Sequence, residues 1–84
     1  METIMRIDKF LKNSRIIKRR TVAKEACEQG HVLVNDKPAK PGTEVRAGDN
    51  IFIQFGNGSL RVEVLELIES CRKEDAVKMY RVIE

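Results

Sequence analysis

Apolar residues recur at Ile7, Phe10 and Leu11, spaced i, i+3 and i+4, which predicts one face of a helix over about residues 6–14. Lys9 and Lys12 fall off that face, so the same short helix carries an apolar side and a cationic side. The adjacent pair Ile16 and Ile17 has no cap before it. It reads as core plugs in a tight basic corner over 15–20. Thr21 is a suitable N-cap for a second helix. That helix has a stripe of small residues (Val22, Ala23, Ala26, Cys27) fit for close packing on the first. Gly30 supplies the left-handed residue that ends it.

From His31 the period changes to two. His31 to Asn35 alternates, Asn35-Asp36 is a turn, and Lys37 to Lys40 runs back from it, with Pro38 confining that return to an edge or an irregular strand. Val45 leads into a turn at Ala47-Gly48-Asp49-Asn50, and Ile51 to Phe55 is the strongest strand. Gly56-Asn57-Gly58 closes a hairpin to Leu60–Leu67, where Arg61, Glu63 and Glu66 face outward. Ser70 is placed to cap a last helix near Lys73–Tyr80, and Val82-Ile83 to form a short closing strand. Of the aromatics, Phe10 and one of Phe52 and Phe55 belong in the core, and the place of Tyr80 is left open.

This order of elements predicts an α+β fold, with two N-terminal helices on a small, twisted antiparallel sheet and a short C-terminal helix. A length of 84 residues suits one domain over 1–84, its core about 5–55 and a C-terminal hairpin strand and helix about 59–84. With 42% apolar and 35% charged residues the chain reads as globular rather than disordered. No apolar run has signal-peptide or membrane-spanning length, so a cytoplasmic protein without membrane contact is expected.

Charge changes the picture most. Residues 6–24 hold eight of the sixteen Lys and Arg residues: Arg6, Lys9, Lys12, Arg15, Lys18, Arg19, Arg20 and Lys24. Asp8 is their only acid, so this stretch carries +7 while residues 25–84 carry −3. A concentrated basic surface on an otherwise acidic chain marks a polyanion binder, since phosphate affinity comes largely from counterion release. The bland alternative is a solvated charge run, but uncompensated cations so close together repel one another and cost stability. The four arginines offer planar forks that grip two phosphate oxygens each. Thr21 opens a helix whose first N–H groups can also face phosphate. Lys37 and Lys40 either extend the cationic surface from their turn or serve solubility.

Catalysis is not indicated. Asp8 has no partner carboxylate or nearby His, and no Ser-His-Asp set, Cys-His pair or phosphate-cradling Gly-rich loop occurs. Asp8 is better placed to sit in a first helical turn and orient a neighbouring Arg. Cys27 and Cys71 lack CxxC spacing and His31 stands alone, so neither a metal site nor a cofactor is expected. Cys27 should be buried and Cys71 accessible, with free thiols favoured over a lone disulfide between them. Sparse aromatics argue for recognition of structured RNA through backbone and shape.

The blocks Arg6-Ile7-Asp8-Lys9-Phe10-Leu11, Arg20-Thr21-Val22-Ala23, Gly30-His31-Val32-Leu33-Val34-Asn35 and Gly48-Asp49-Asn50-Ile51, in this order, resemble the S4 RNA-binding domain. IKRRTVAKE and KEDAVKMY are similar to stand-alone bacterial members related to the fifteen-kilodalton heat-shock protein. The resemblance implies an αL-like domain whose RNA-facing cations are Arg6, Lys9, Arg15, Arg19, Arg20 and Lys24. Lys12 and Lys18 join them on charge and position. A monomer is the expected state, and the resemblance further implies contact with large-subunit rRNA and peptidyl-tRNA after ribosome splitting. There it would support a tailing factor extending the stalled nascent chain. Two rivals stay open: a generic S4-type ribosome-assembly or regulatory RNA binder, and a basic module docking on an acidic protein. A salt titration separates RNA, with its steep multi-phosphate slope, from a protein contact.

Overall fold

The computed structural model describes residues 4–68 and 72–83. It opens on β1 (Met5–Arg6), a two-residue strand too short for periodicity to reveal. This strand pairs antiparallel with β4 (Glu44–Val45), matching Met5 to Val45 and Arg6 to Glu44. Helix α1 (Ile7–Asn13) follows directly, between caps at Arg6 and Ser14. Its predicted face is fully inside, with Ile7, Phe10 and Leu11 each 0% exposed.

The corner after α1 is held by backbone. Ile17 N–H donates to Leu11 C=O at 3.1 Å, and Arg15 N–H to Lys12 C=O at 3.1 Å. Ile17 is buried and Ile16 partly so, as expected of plugs. Arg15 makes this turn in the left-handed region (φ 63°), where a Cβ crowds the following carbonyl and costs roughly 1 kcal/mol or more.

Helix α2 (Arg20–Glu28) corrects the expected cap: the N-cap is Arg19, in extended backbone, and Thr21 lies exposed in the first turn. Ala23 and Cys27, one turn apart and buried against the core, set the helical phase. Val22 then falls about 100° off that face and is 47% exposed, so it leaves the predicted stripe. The exit is as predicted. Gly30 (φ 79°) donates to Cys27 C=O, and His31 N–H to Ala26 C=O, the paired bonds of a Schellman end.

The main sheet is antiparallel in the order β3-β2-β5-β6-β7: β3 (Lys37–Pro38), β2 (Val32–Val34), β5 (Asn50–Phe55), β6 (Gly58–Val64) and β7 (Tyr80–Val82). Asn35 and Asp36 both have positive φ, as the two-residue turn matching Val34 to Lys37 requires. Val32, Val34, Ile51, Ile53, Val62 and Val64 face the helices and complete one core with Phe10, Leu11 and Met79. Neither strand phenylalanine joins it. Phe52 alternates with Ile51 and Ile53 and so sits on the far face, while Phe55 lies past the core at the strand end, 38% exposed.

Two C-terminal boundaries also move. Helix α3 (Lys73–Ala76) stops well before Tyr80, because the chain turns at 77–79 to lay β7 against β6 from Tyr80. Leu65 N–H donates to Met79 C=O at that junction, so β6 ends at Val64 rather than running to Leu67. Tyr80 is half-buried against the core. The expectations for Ser70 and Cys71 fall outside the described residues. Among those described, no helix is long and apolar enough to cross a membrane.

Candidate nucleic-acid interface

Asp8 organises the basic surface. It occupies the first turn of α1, where the helix dipole favours an acid, and is 2% exposed. Its Oδ1 accepts the Lys9 backbone N–H at 2.8 Å. Its Oδ2 accepts Arg6 Nη2 at 3.2 Å and Arg20 Nε at 3.4 Å. The predicted pairing with a neighbouring Arg is therefore present. The second arginine lies twelve positions on, where no local spacing signals it. One carboxylate thus ties β1, α1 and α2 together, while the two arginine side chains stay about half exposed, at 53% and 49%.

The loop 40–43 closes on the same end of α1. Ile7 N–H donates to Thr43 C=O at 2.7 Å and Asp8 N–H to Pro41 C=O at 3.5 Å. Lys40, exposed, donates its backbone N–H to Thr43 Oγ1. In sequence Lys40 is only a turn residue, whereas the fold brings its loop to the Asp8 cluster.

The other cations divide along the two helices. Lys12, Arg15 and Lys18 are exposed and, with Asn13, line a notch of about 270 Å³ at the far end of α1. Arg19, Arg20, Thr21 and Lys24 are exposed on the cap and body of α2. No side-chain bond caps this helix, so its first-turn N–H groups face outward beside Arg19 and Arg20. Lys9 alone of the eight is half-buried. Lys37 is not part of this group. It sits on edge strand β3 and lines a separate cavity of mixed charge with Glu44, Arg46 and Asp49.

Behind the interface, Cys27 is a free, buried thiol on the inner face of α2. Burial, aided by the nearby charges of Asp8 and Glu28, pushes its pKa up from 9.0 to about 11. Such a thiol is a poor nucleophile and belongs to packing.

Known proteins share this fold and much of this sequence. The profile of the S4 domain matches residues 5–51. An "RQC P-site tRNA stabilizing factor" of Listeria monocytogenes is 50% identical over 84 residues, all of this chain and 91% of the relative. A protein of the same name from Halalkalibacterium halodurans is 54% identical over 78 residues, covering 93% of this chain and 89% of the relative. The trimeric structure of heat shock protein 15 from Vibrio cholerae superposes with a TM-score of 0.87 at 28% identity, covering 95% of this chain and 82% of that one.

Proposed function

The chain belongs to the S4 domain family, and on that premise we propose that it is a non-catalytic RNA-binding protein of ribosome-associated quality control. It contacts large-subunit rRNA and the peptidyl-tRNA on a split, obstructed large subunit, and supports the factor that tails the nascent chain. The observation that carries this reading is the run of eight cations over β1, α1, the corner and the first turns of α2, two of them held by one buried acid.

The chemistry is electrostatic and geometric. Exposed guanidinium groups at Arg6, Arg15, Arg19 and Arg20 take phosphate oxygens in forked pairs, and Lys9, Lys12, Lys18 and Lys24 add point charges along α1, the corner and α2. Asp8 fixes two of the forks before RNA arrives, lowering the ordering cost of the encounter. Its oxygens are engaged with Arg6, Arg20 and the Lys9 N–H, which suits a positioning role rather than acid–base work. The cations reach from the Asp8 cluster to the notch at the other end of α1, so that different ends of the surface can meet different RNA segments. Bridging rRNA and a tRNA arm adds two modest affinities through effective concentration. The names carried by the Listeria and Halalkalibacterium relatives support the tRNA half of this reading.

Sedimentation of cell extracts tests it. The protein should travel with free large subunits that retain peptidyl-tRNA and poorly with intact ribosomes, and its deletion should shorten tails made after splitting. Equal association with whole ribosomes, or tails of normal length, would favour a generic RNA binder of the same fold.

A further inference from the structure

The far face of the sheet carries the one side-chain polar atom, among the described residues, left buried without a hydrogen-bond partner, Arg61 Nε. Arg61 lies on β6 opposite Phe52 of β5, its guanidinium 5.5 Å from the ring centroid. Phe52 in turn pairs with Leu33 of β2, and Leu33 with Pro38 of β3. Past β7, Ile83 N–H donates to Arg61 C=O, which extends the row to the other edge. Leu33, Phe52 and Arg61 are half-buried, and Pro38 and Ile83 are exposed. Ile51, Ile53 and Val62 point the opposite way, into the core under α1 and α2.

Taking a guanidinium nitrogen out of water without a hydrogen-bond partner is unfavourable, and an anion is the acceptor that best relieves it. Here the acid two residues along β6, Glu63, holds Arg81 instead. Among the described residues Arg61 has the Phe52 ring and no carboxylate. We propose that this row is a docking site for a protein segment presenting a carboxylate flanked by apolar side chains. The carboxylate meets Arg61, and the flanking groups cover Leu33 and Pro38 on one side and Ile83 on the other. An arginine laid on an aromatic ring and bordered by aliphatic residues is the make-up of an interface anchor. RNA is the poorer fit. Apart from Arg81, which Glu63 holds, the described strands offer only Arg61 as a cation on this side of the sheet, against eight cations on and around the helices. With RNA held by α1 and α2, the far face of the sheet is free for a protein neighbour.

Nuclear magnetic resonance on the isotope-labelled full chain tests the proposal independently of the RNA reading. The probes are acetyl-Leu-Glu-Leu-amide, its Gln counterpart and hexauridylate, each taken to about 10 mM, the range of weak contacts. The Glu peptide should shift the Arg61 Nε–H and the Leu33 and Phe52 amides, binding at least about threefold more tightly than the Gln peptide. Arg61→Met should abolish that preference without lowering the melting temperature. Absence of shifts in this row, equal response to the two peptides, or a preference that survives in Arg61→Met would overturn the proposal. Shifts of this row by hexauridylate would reassign it to RNA.

Discussion

Removing Asp8 separates charge from geometry. In Asp8→Ala the Lys9 N–H loses an acceptor in the first helical turn, worth about 1 kcal/mol. The favourable placement at the helix dipole adds roughly 0.5 kcal/mol. The two ion pairs count for less than their geometry suggests, because both arginine side chains are about half solvated. Screening leaves roughly 0.5 kcal/mol each. The sum is about 2–3 kcal/mol, within the stability on the order of 5–10 kcal/mol expected of a chain this size, so the variant should stay folded. RNA affinity then decides the matter. Losing an acid raises the charge of residues 6–24 from +7 to +8, and charge alone would tighten binding and steepen its salt dependence. Positioning predicts the reverse, because Arg6 and Arg20 lose their common anchor: binding of a structured RNA should weaken by about tenfold. Fluorescence anisotropy with a labelled RNA hairpin, beside thermal melts, measures both. Tighter binding by Asp8→Ala would refute the positioning argument.

Other outcomes follow from the same geometry. Phe10→Ala should cost roughly 3–5 kcal/mol, since the ring is wholly buried, whereas exposed Lys12→Ala should be near neutral in calorimetry. Arg15→Gly should relieve the left-handed backbone, raising stability by roughly 0.5–1 kcal/mol in denaturant titration while weakening RNA binding. Cys27 keeps its proton to about pH 11 when folded, while its ordinary pKa is 9.0. The folded chain therefore binds more protons between those values, and its stability should rise with pH no further: it falls through that window, by up to about 2–3 kcal/mol. Cys27→Ala should lack this component of the decline, and native Cys27 should resist alkylation.

What the sequence discloses, and what it hides, follows the range of the forces involved. The i, i+3, i+4 face of α1, the Schellman exit at Gly30 and the Asn35-Asp36 hairpin are local patterns, and each appears where the residues announce it. Thr21 resembles a cap because its side chain suits one. The phase of α2 is set instead by burial of Ala23 and Cys27, a tertiary constraint that goes with a helix starting two residues earlier. Hydrophobicity alone would put Phe52 or Phe55 inside, whereas strand parity turns one outward and strand length leaves the other at the end. The cations are visible in composition. Their grouping is not, because the Arg6–Asp8–Arg20 cluster depends on α1 and α2 meeting across the corner, and Lys37 is carried to another edge by the hairpin.

The salt dependence of RNA binding probes the basic face most directly. Affinity of the intact chain for a structured RNA should fall linearly on a log–log plot against salt, with a slope reflecting several phosphates. Arg19→Ala combined with Arg20→Ala should lower that slope by roughly 0.7–0.9 for each phosphate no longer neutralised, with the fold intact. The two helices are then the RNA-bearing surface. An unchanged slope with undiminished affinity in that double variant would contradict the assignment and place the RNA elsewhere on the chain.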